Sequence, residues 1–395
     1  MNSPPTGFNP VPQAEVDFLG TQPVPARPYY DPDWYELERK AVFLRSWINL
    51  GHVCEVPSAG DFIHRTLEFA KASLLIVRGK DGAVRTFYNA CTHRGTRLVR
   101  EAQGNRANFR CPYHSWTFAQ DGALLSAPDF GGFHLSKGQC ALKAVRTEVL
   151  AGLIFVNFDP GATPLRDQVG EFAEEMESVP VARATEFSEY TYELKANWKI
   201  VYDNFQENYH LRFIHPRSGL GGTGPDNPFG YPTRYRFIGD HRGQTIWYNP
   251  ETQPRGPVQV AGFMAAANAL AGKALLDTPH GSEYFCLFPT FFMLGNPLQN
   301  FSHVVYPIDA GRTRGVIRMY WVGEAENASE LFARHAGLTM MRDLHAEDID
   351  VIEDGYAGLS GGALEFIHFQ TQEALCRHLY NSVVEKVRAF QAEQA

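Results

Sequence analysis

Long hydrophobic runs, an excess of basic residues and a dense set of cysteines are all missing from this 395-residue sequence. The longest apolar stretches, such as CLFPTFFMLG at 286–295, fall far short of the roughly 20 residues a spanning helix needs. Acidic residues outnumber basic ones, 44 Asp and Glu against 36 Lys and Arg, for a net charge of -8. That balance argues against a nucleic-acid binder, which carries a basic face. Six cysteines (Cys54, Cys91, Cys111, Cys140, Cys286 and Cys376) are too sparse for a disulfide framework. The start MNSPPTGFNPVPQ has neither the basic end nor the apolar run of a secretory signal. The expectation is a cytoplasmic protein with no membrane or nucleic-acid partner. In such a reducing compartment, cysteines grouped with histidines serve as metal ligands.

What is present is an ordinary folded composition, 44% hydrophobic and 20% charged, in a chain long enough for two domains. Residues 29–46 read as a helix opening at Asp31 or Pro32, with Trp34, Leu37, Val42 and Phe43 on its apolar side. From about 50 to 158 the texture is one of short strands: SLLIVRG, VRTFYNA, ANFRCP, WTFA, LIFVNF. Asp81-Gly82 and Asp121-Gly122 sit between such segments as hairpin turns do. After about 160 the pattern is mixed. The run 189–216 starts as a strand and continues as a helix. TRYRFIG, QTIWYN, EYFCLFPTFFML, SHVVYPI and TRGVIRMYWVG read as strands, and 328–357 and 371–391 as long helices. The stripe Leu375, Leu379, Val383, Val387 and Phe390 is core packing.

Within the β-rich segment, Cys91 and His93 stand two apart, and Cys111 and His114 follow after seventeen intervening residues. Two thiolates and two imidazoles can hold one zinc, or a two-iron cluster with both sulfurs on one iron and both nitrogens on the other. A zinc finger groups its cysteines in one pair and its histidines in another. Here each loop supplies one of each, which suits a dinuclear cluster clamped between two loops. Further on, DNFQENYHLRFIHP at 203–216 carries Glu207, His210 and His215. On a helix the first two share a side, and His215 lies roughly 80° round from Glu207. His210 and His215 diverge on an ideal helix, so distortion or termination before Pro216 is expected. Two histidines and a carboxylate on one face form the open site of non-haem Fe(II) oxygenases.

CTHRG with CPYHSWTF, including Tyr113 and Trp116, resembles the Rieske [2Fe–2S] signature. Asn204, Glu207, Tyr209, His210 and His215 resemble the mononuclear-iron motif of Rieske aromatic-ring-hydroxylating oxygenase α subunits. The resemblance covers nearly the whole chain. It implies an α+β architecture: a small all-β Rieske domain, 46–160, and a larger catalytic domain, 161–395. The catalytic domain has an antiparallel sheet flanked by helices (a helix-grip, Bet v 1/START-like fold), and the N-terminal arm, 1–45, belongs with it. It implies a [2Fe–2S] cluster on Cys91, His93, Cys111 and His114. It also implies an Fe(II) held by His210, His215 and an Asp of a later helix. The family's acidic-Asp, four residues, Glu pattern fits Glu347, Asp348 and Glu353, which selects Asp348. Asp350 would point about 160° away from it, and Asp343 and Asp354 are the other aspartates of that stretch.

By the same resemblance, Glu207 bridges an iron histidine to a cluster histidine, His114, of a neighbouring subunit. Asn204 lies close to the iron. The assembly implied is a homotrimer, with or without a β subunit (α3β3), in which a lone subunit is inactive. Arg94, Arg97 and Trp116 are candidates for docking a ferredoxin or flavin reductase that relays electrons from NAD(P)H. The chain shows no flavin or nicotinamide motif. GLGGTG at 219–224 follows no strand and reads as a loop by the active-site entrance. Aromatic residues, 13% of the chain, suggest a small apolar, aromatic substrate, taken with O2. Ring dihydroxylation, monohydroxylation and oxidative O- or N-demethylation share this site. A reading of another class is a non-catalytic Rieske electron-transfer protein.

Overall fold

In the computed structural model, the structure describes residues 11–215, 223–225, 227–247, 256–270, 281–295 and 300–395. Two compact units emerge. One spans Phe43–Asp167, and the other ends its first segment at Val42 and resumes at Gln168.

The smaller unit is built on a seven-stranded antiparallel sheet. Its order is Ile48–His52, Leu153–Asn157, Ala144–Leu150, Val84–Tyr88, Ala72–Arg78, Asp61–Leu67 and Gln103–Asn105. Continuous apolar stretches such as Leu153–Asn157 are buried on both faces, and all five residues are covered. Gly82 and Gly122 take positive φ, 81° and 86°, as the Asp-Gly turns require. A second, three-stranded sheet of Phe109–Arg110, Thr117–Phe118 and Leu124–Ser126 carries the other cysteine loop. One core joins them, with Cys91 and Cys111 packed among Phe62, Phe87, Phe109, Trp116 and Phe118.

The larger unit is a seven-stranded antiparallel sheet with helices packed against it. Its order is Glu186–Leu194, Arg312–Trp321, Asn300–Asp309, Phe291–Gly295, Gly281–Leu287, His241–Trp247 and Arg234–Ile238. The run EYFCLFPTFFML, read as one strand, is two: it turns back at Phe288–Thr290 and pairs Leu287 with Phe291. Pro289 has no N–H to give a continuing ladder, which explains the break. The long helix Ala328–Ser360 and the last helix Ala374–Gln394 lie where their periodicity indicates, the latter burying Leu375, Leu379, Val383 and Val387. A further helix, Pro257–Leu270, has no counterpart in the sequence reading. Among the described residues, no helix is long and apolar enough to cross a membrane.

The N-terminal arm is bolted to the larger unit by a buried charge. Helix Pro32–Glu38 starts at Asp31, whose carboxylate caps it, and ends on Glu38. The Glu38 carboxylate accepts from the Trp34 indole at 2.9 Å, the Trp198 indole at 2.8 Å and the Lys199 ammonium at 2.6 Å. Both charged side chains are fully buried. Trp198 and Lys199 open the helix Trp198–Asn204, so the arm anchors the element that leads into the histidine motif. Lys199→Ala leaves the Glu38 charge buried without its countercharge. It is expected to cost about 3–5 kcal/mol, measured by denaturant titration.

Candidate metal centres

The two Cys/His loops are the same turn made twice. In the first, Cys91 N donates to Thr96 O at 2.8 Å and Gly95 N donates back to Cys91 O at 2.8 Å. In the second, Cys111 N donates to Trp116 O at 2.7 Å and Ser115 N to Cys111 O at 3.1 Å. The fifth residue of each turn is left-handed, Gly95 at φ 77° and Ser115 at φ 61°. Serine there is uncommon, and Arg110 holds its hydroxyl at 2.8 Å. Asn89, buried, fastens the first loop to the sheet by accepting from Leu98 N at 2.9 Å and Val99 N at 3.0 Å.

The turns bring the four side chains together. Cys91 and Cys111 are each 2% exposed, and the His93 and His114 rings stand 4.6 Å apart. Burial pushes the Cys91 thiol up to about 11, backbone N–H groups of His93 and Arg94 work against that, and the adjoining Cys111 adds to it. Two buried neighbouring thiols with amides aimed at the sulfur, and a buried His114 Nδ1 with no hydrogen-bond partner, fit a metal cluster. A single tetrahedral ion would gather its ligand atoms within roughly 4 Å of one another. Among the described residues, the set of three or more whose ligand atoms all lie within 4.8 Å of one another is a different one.

That set is His210, His215 and Asp348. The helix Trp198–Asn204 stops at Phe205, earlier than the Pro216 boundary expected from the sequence, and Pro216 itself lies outside the described residues. A separate turn of helix, Leu211–Ile214, follows, with His210 at its N-cap and His215 at its C-cap. The two rings that an ideal helix would splay thus come to 5.2 Å. Asp348 Oδ1 lies 2.9 Å from His215 Nε2 and 3.8 Å from His210 Nε2. Neither His215 Nε2 nor Asp348 Oδ1 has a partner in hydrogen-bonding geometry, though both are buried. Two buried lone-pair donors that face each other without a hydrogen bond fit a cation between them. Of the four aspartates on this stretch, Asp348 is buried, while Asp343, Asp350 and Asp354 are exposed.

Each histidine is fixed from behind. His210 Nδ1 meets Glu207 Oε1, whose other oxygen accepts from the Tyr209 and His210 amides. His215 Nδ1 meets Glu347 Oε2 at 2.8 Å. Burial works to lower the pKa of His215, and the Asp348 and Glu347 carboxylates outweigh it and raise it. Glu347→Gln is expected to weaken iron binding about 10–100-fold, read from iron retained after dialysis against a graded chelator. Asn204 closes its helix half-buried, and no hydrogen bond among the described residues joins it to the triad.

Beside the triad stands an aromatic wall that sequence reasoning missed. Phe205 packs 4.0 Å from His303 and 5.9 Å from His345, and Tyr192 3.9 Å from His345. The Tyr192 hydroxyl bonds His303 Nε2 at 2.6 Å. Burial pushes His345 down to about 4 and His303 well below the usual range, so both imidazoles stay neutral. Gly315, across the ladder from Tyr192, makes room: a Cβ there would stand 2.1 Å from Tyr192 Cζ. His345 precedes Asp348 by one helical turn, a spacing that could have flagged it. His303 lies in a strand that reads only as core. Of GLGGTG, residues 219–222 lie outside the described residues.

A β module with paired Cys/His loops, and a helix-covered sheet carrying a two-histidine, one-carboxylate group, are the parts of a two-centre Rieske-type oxygenase. Residues 46–140 match the model of the Rieske [2Fe-2S] domain, and 181–389 that of the ring hydroxylating alpha subunit catalytic domain. The chain belongs to that family: it is the catalytic α subunit of a Rieske-type mono- or dioxygenase, with a [2Fe–2S] cluster and a mononuclear iron. It is 37% identical over 335 residues to the α subunit of 2-aminobenzenesulfonate 2,3-dioxygenase from Alcaligenes sp, covering 83% of this chain and 77% of that one. It is 39% identical over 199 residues to the carnitine monooxygenase oxygenase subunit of Escherichia coli (strain K12), 49% of this chain and 52% of that one. A quaternary ammonium Rieske monooxygenase shares the fold at TM-score 0.75 and 22% identity, over 96% of this chain and 100% of that one. Naphthalene 1,2-dioxygenase from Rhodococcus sp. bound to indole does so at TM-score 0.75 and 21% identity, over 95% of this chain and 96% of that one.

Proposed function

We propose that this chain is a cytoplasmic terminal oxygenase that oxidises a small aromatic substrate with O2 and electrons from a separate ferredoxin or flavin reductase, ultimately from NAD(P)H. In this reading residues 46–160 form the cluster domain, and 1–45 with 161–395 the catalytic one. Cys91 and Cys111 hold one iron of the cluster, His93 and His114 the other, and His210, His215 and Asp348 hold the mononuclear iron. The observation that carries the reading is the convergence of His215 Nε2, Asp348 Oδ1 and His210 Nε2 on one point, two of them buried without hydrogen bonds.

When bound, the cluster supplies single electrons and the mononuclear iron supplies dioxygen activation. The chain's own residues do the remainder. Glu347 and Glu207 hold the two imidazoles in one tautomer and one orientation, with Nε2 directed at the metal. Phe205, Tyr192 and the neutral His303 and His345 wall the site and keep it dry. Asn204, at the end of the helix leading into the break, borders the site without serving as a ligand.

Glu207 also bridges to His114 of the next copy in a homotrimer. Supporting this, Tyr209 and Phe213 beside His210 are 42% and 59% exposed, and Tyr113 beside His114 is 57% exposed. Exposed aromatic surface at both rims marks association, and a head-to-tail contact between unlike patches closes into a ring. Sedimentation is expected to show a trimer, and a monomer that retains full turnover would contradict the bridge.

Ring hydroxylation is favoured by the 37% identity to an aminobenzenesulfonate dioxygenase subunit across most of both chains. A second reading, oxidation beside a quaternary nitrogen with C–N cleavage, is favoured by the 39% identity to the carnitine enzyme over half of each chain. An aromatic wall accommodates either, since rings attract quaternary cations. A panel of arenes and quaternary ammonium compounds, run with a surrogate reductase and read by product, separates them. Oxygenated ring products support the first reading, and an amine with an aldehyde the second. Reductant consumption without product on every member would contradict both.

A further inference from the structure

The two cluster histidines are held very differently. The His93 ring lies flat on Trp116, centroids 5.0 Å apart and planes 11° from parallel. The edge of that pair is closed by Phe133, 5.2 Å from His93 at 87° and 5.2 Å from Trp116 at 81°. Phe130 backs Phe133 at 5.9 Å and Trp116 at 5.8 Å. His114, by contrast, leans on Tyr113, which is 57% exposed.

The segment DFGGFH explains how the two phenylalanines reach the cluster loop. Phe130–Phe133 is a single tight helical turn, in which positions three apart eclipse and face one way. Its Gly131 and Gly132 have open space around them, so no side chain stands between the phenylalanines. The turn is flanked by Asp129 at φ 46° and His134 at φ 53°, both left-handed and neither a glycine. Such backbone is uncommon and persists where the surroundings over-determine it. Packing of Phe130 and Phe133 on the core supplies that determination.

We propose that Phe133, supported by Phe130 and acting through the Trp116–His93 stack, is a positioning residue that fixes the His93 imidazole, keeps water from that side of the cluster and holds its reduction potential low. This rests on the reading that His93 is a cluster ligand. A cluster with two thiolates and two neutral imidazoles gains a negative charge on taking one electron. An apolar cover disfavours that charge, and access of water stabilises it. Freeing the ring also loosens a donor ligand, which acts in the same direction.

The test is spectroelectrochemical titration with EPR on the purified full-length protein carrying its cluster, in wild type, Phe133→Leu, Phe133→Ala and Leu135→Ala. Phe133→Ala is expected to raise the equilibrium constant for one-electron reduction about tenfold, about 59 mV for such a couple, and to broaden the EPR g-values. Phe133→Leu keeps bulk but loses the ring, and is expected to raise it about threefold. Leu135, 48% exposed on the same segment and not among the residues packed on that core, is expected to leave the potential unchanged. Phe133 variants that titrate with the wild type, or a Leu135→Ala shift as large as theirs, would overturn the proposal. If Phe133→Ala fails to hold a cluster, Phe133→Leu decides by the same threefold criterion. A wild type with no Rieske EPR signal would instead defeat the parent reading of the cysteine and histidine loops.

Discussion

His210→Ala is expected to lose all turnover and to keep its cluster. His210 supplies one of three converging ligand atoms, and none of the four residues of the cysteine loops is among them. Without it, His215 and Asp348 offer two contacts, too few to retain a ferrous ion against dialysis. The iron content is therefore expected to fall from about three to about two per chain, while the Rieske absorption and EPR persist. Product formation in the coupled assay should drop below detection, and reduction of the cluster by the surrogate reductase should proceed at the wild-type rate. Retained turnover, or loss of the cluster signal along with the iron, would mean that the two centres are not separable as described.

Glu207→Gln is expected to separate electron transfer from metal binding. The Glu207 carboxylate touches the back of His210 through one oxygen and two backbone amides through the other. Glutamine keeps one acceptor oxygen, which can take the His210 Nδ1–H in exchange for the two backbone amides, so iron content should stay within about twofold of wild type. It cannot carry the negative charge that faces His210 Nδ1 and that, in the proposed trimer, would span to the cluster histidine of the next copy. Turnover should fall roughly 100-fold, the upper end of the cost of removing a ligand's supporting partner. Stopped-flow mixing of the reduced protein with O2 and substrate resolves the cause. Slow reoxidation of the cluster with full iron occupancy is the expected result. Wild-type reoxidation would remove Glu207 from the electron path.

The parts of this molecule that were legible in the sequence are those in which chemistry sits close along the chain. Cys91 with His93, and Cys111 with His114, announce their loops because each turn needs both ligands within four residues. His210 and His215 were visible for the same reason, whereas Asp348 was singled out among four aspartates only by the family pattern that Glu347, Asp348 and Glu353 fit. How the histidines come to face one point was not legible. It depends on the helix stopping at Phe205 and restarting at Leu211, and the sequence marks a stop only at Pro216. The helix Pro257–Leu270 was invisible for a different reason. Its sequence has no apolar stripe, and at Gly262 it comes close to the long helix, where a Cβ would stand 3.1 Å from Ala336 Cβ. Tyr192 and His303 escaped notice since a strand that lines a site and a strand that fills a core share one alternation. Glu347 was named only as the neighbour of Asp348, and its contact with His215 needs the fold.

Mössbauer spectroscopy of protein reconstituted with 57Fe and then reduced tests the two-centre account most directly. About two-thirds of the iron should appear as a valence-localised Rieske pair and about one-third as an isolated high-spin ferrous ion, the latter absent from His210→Ala and Asp348→Ala. A wild-type spectrum holding the pair alone, or protein that takes up zinc at the cysteine loops in place of iron, would contradict it.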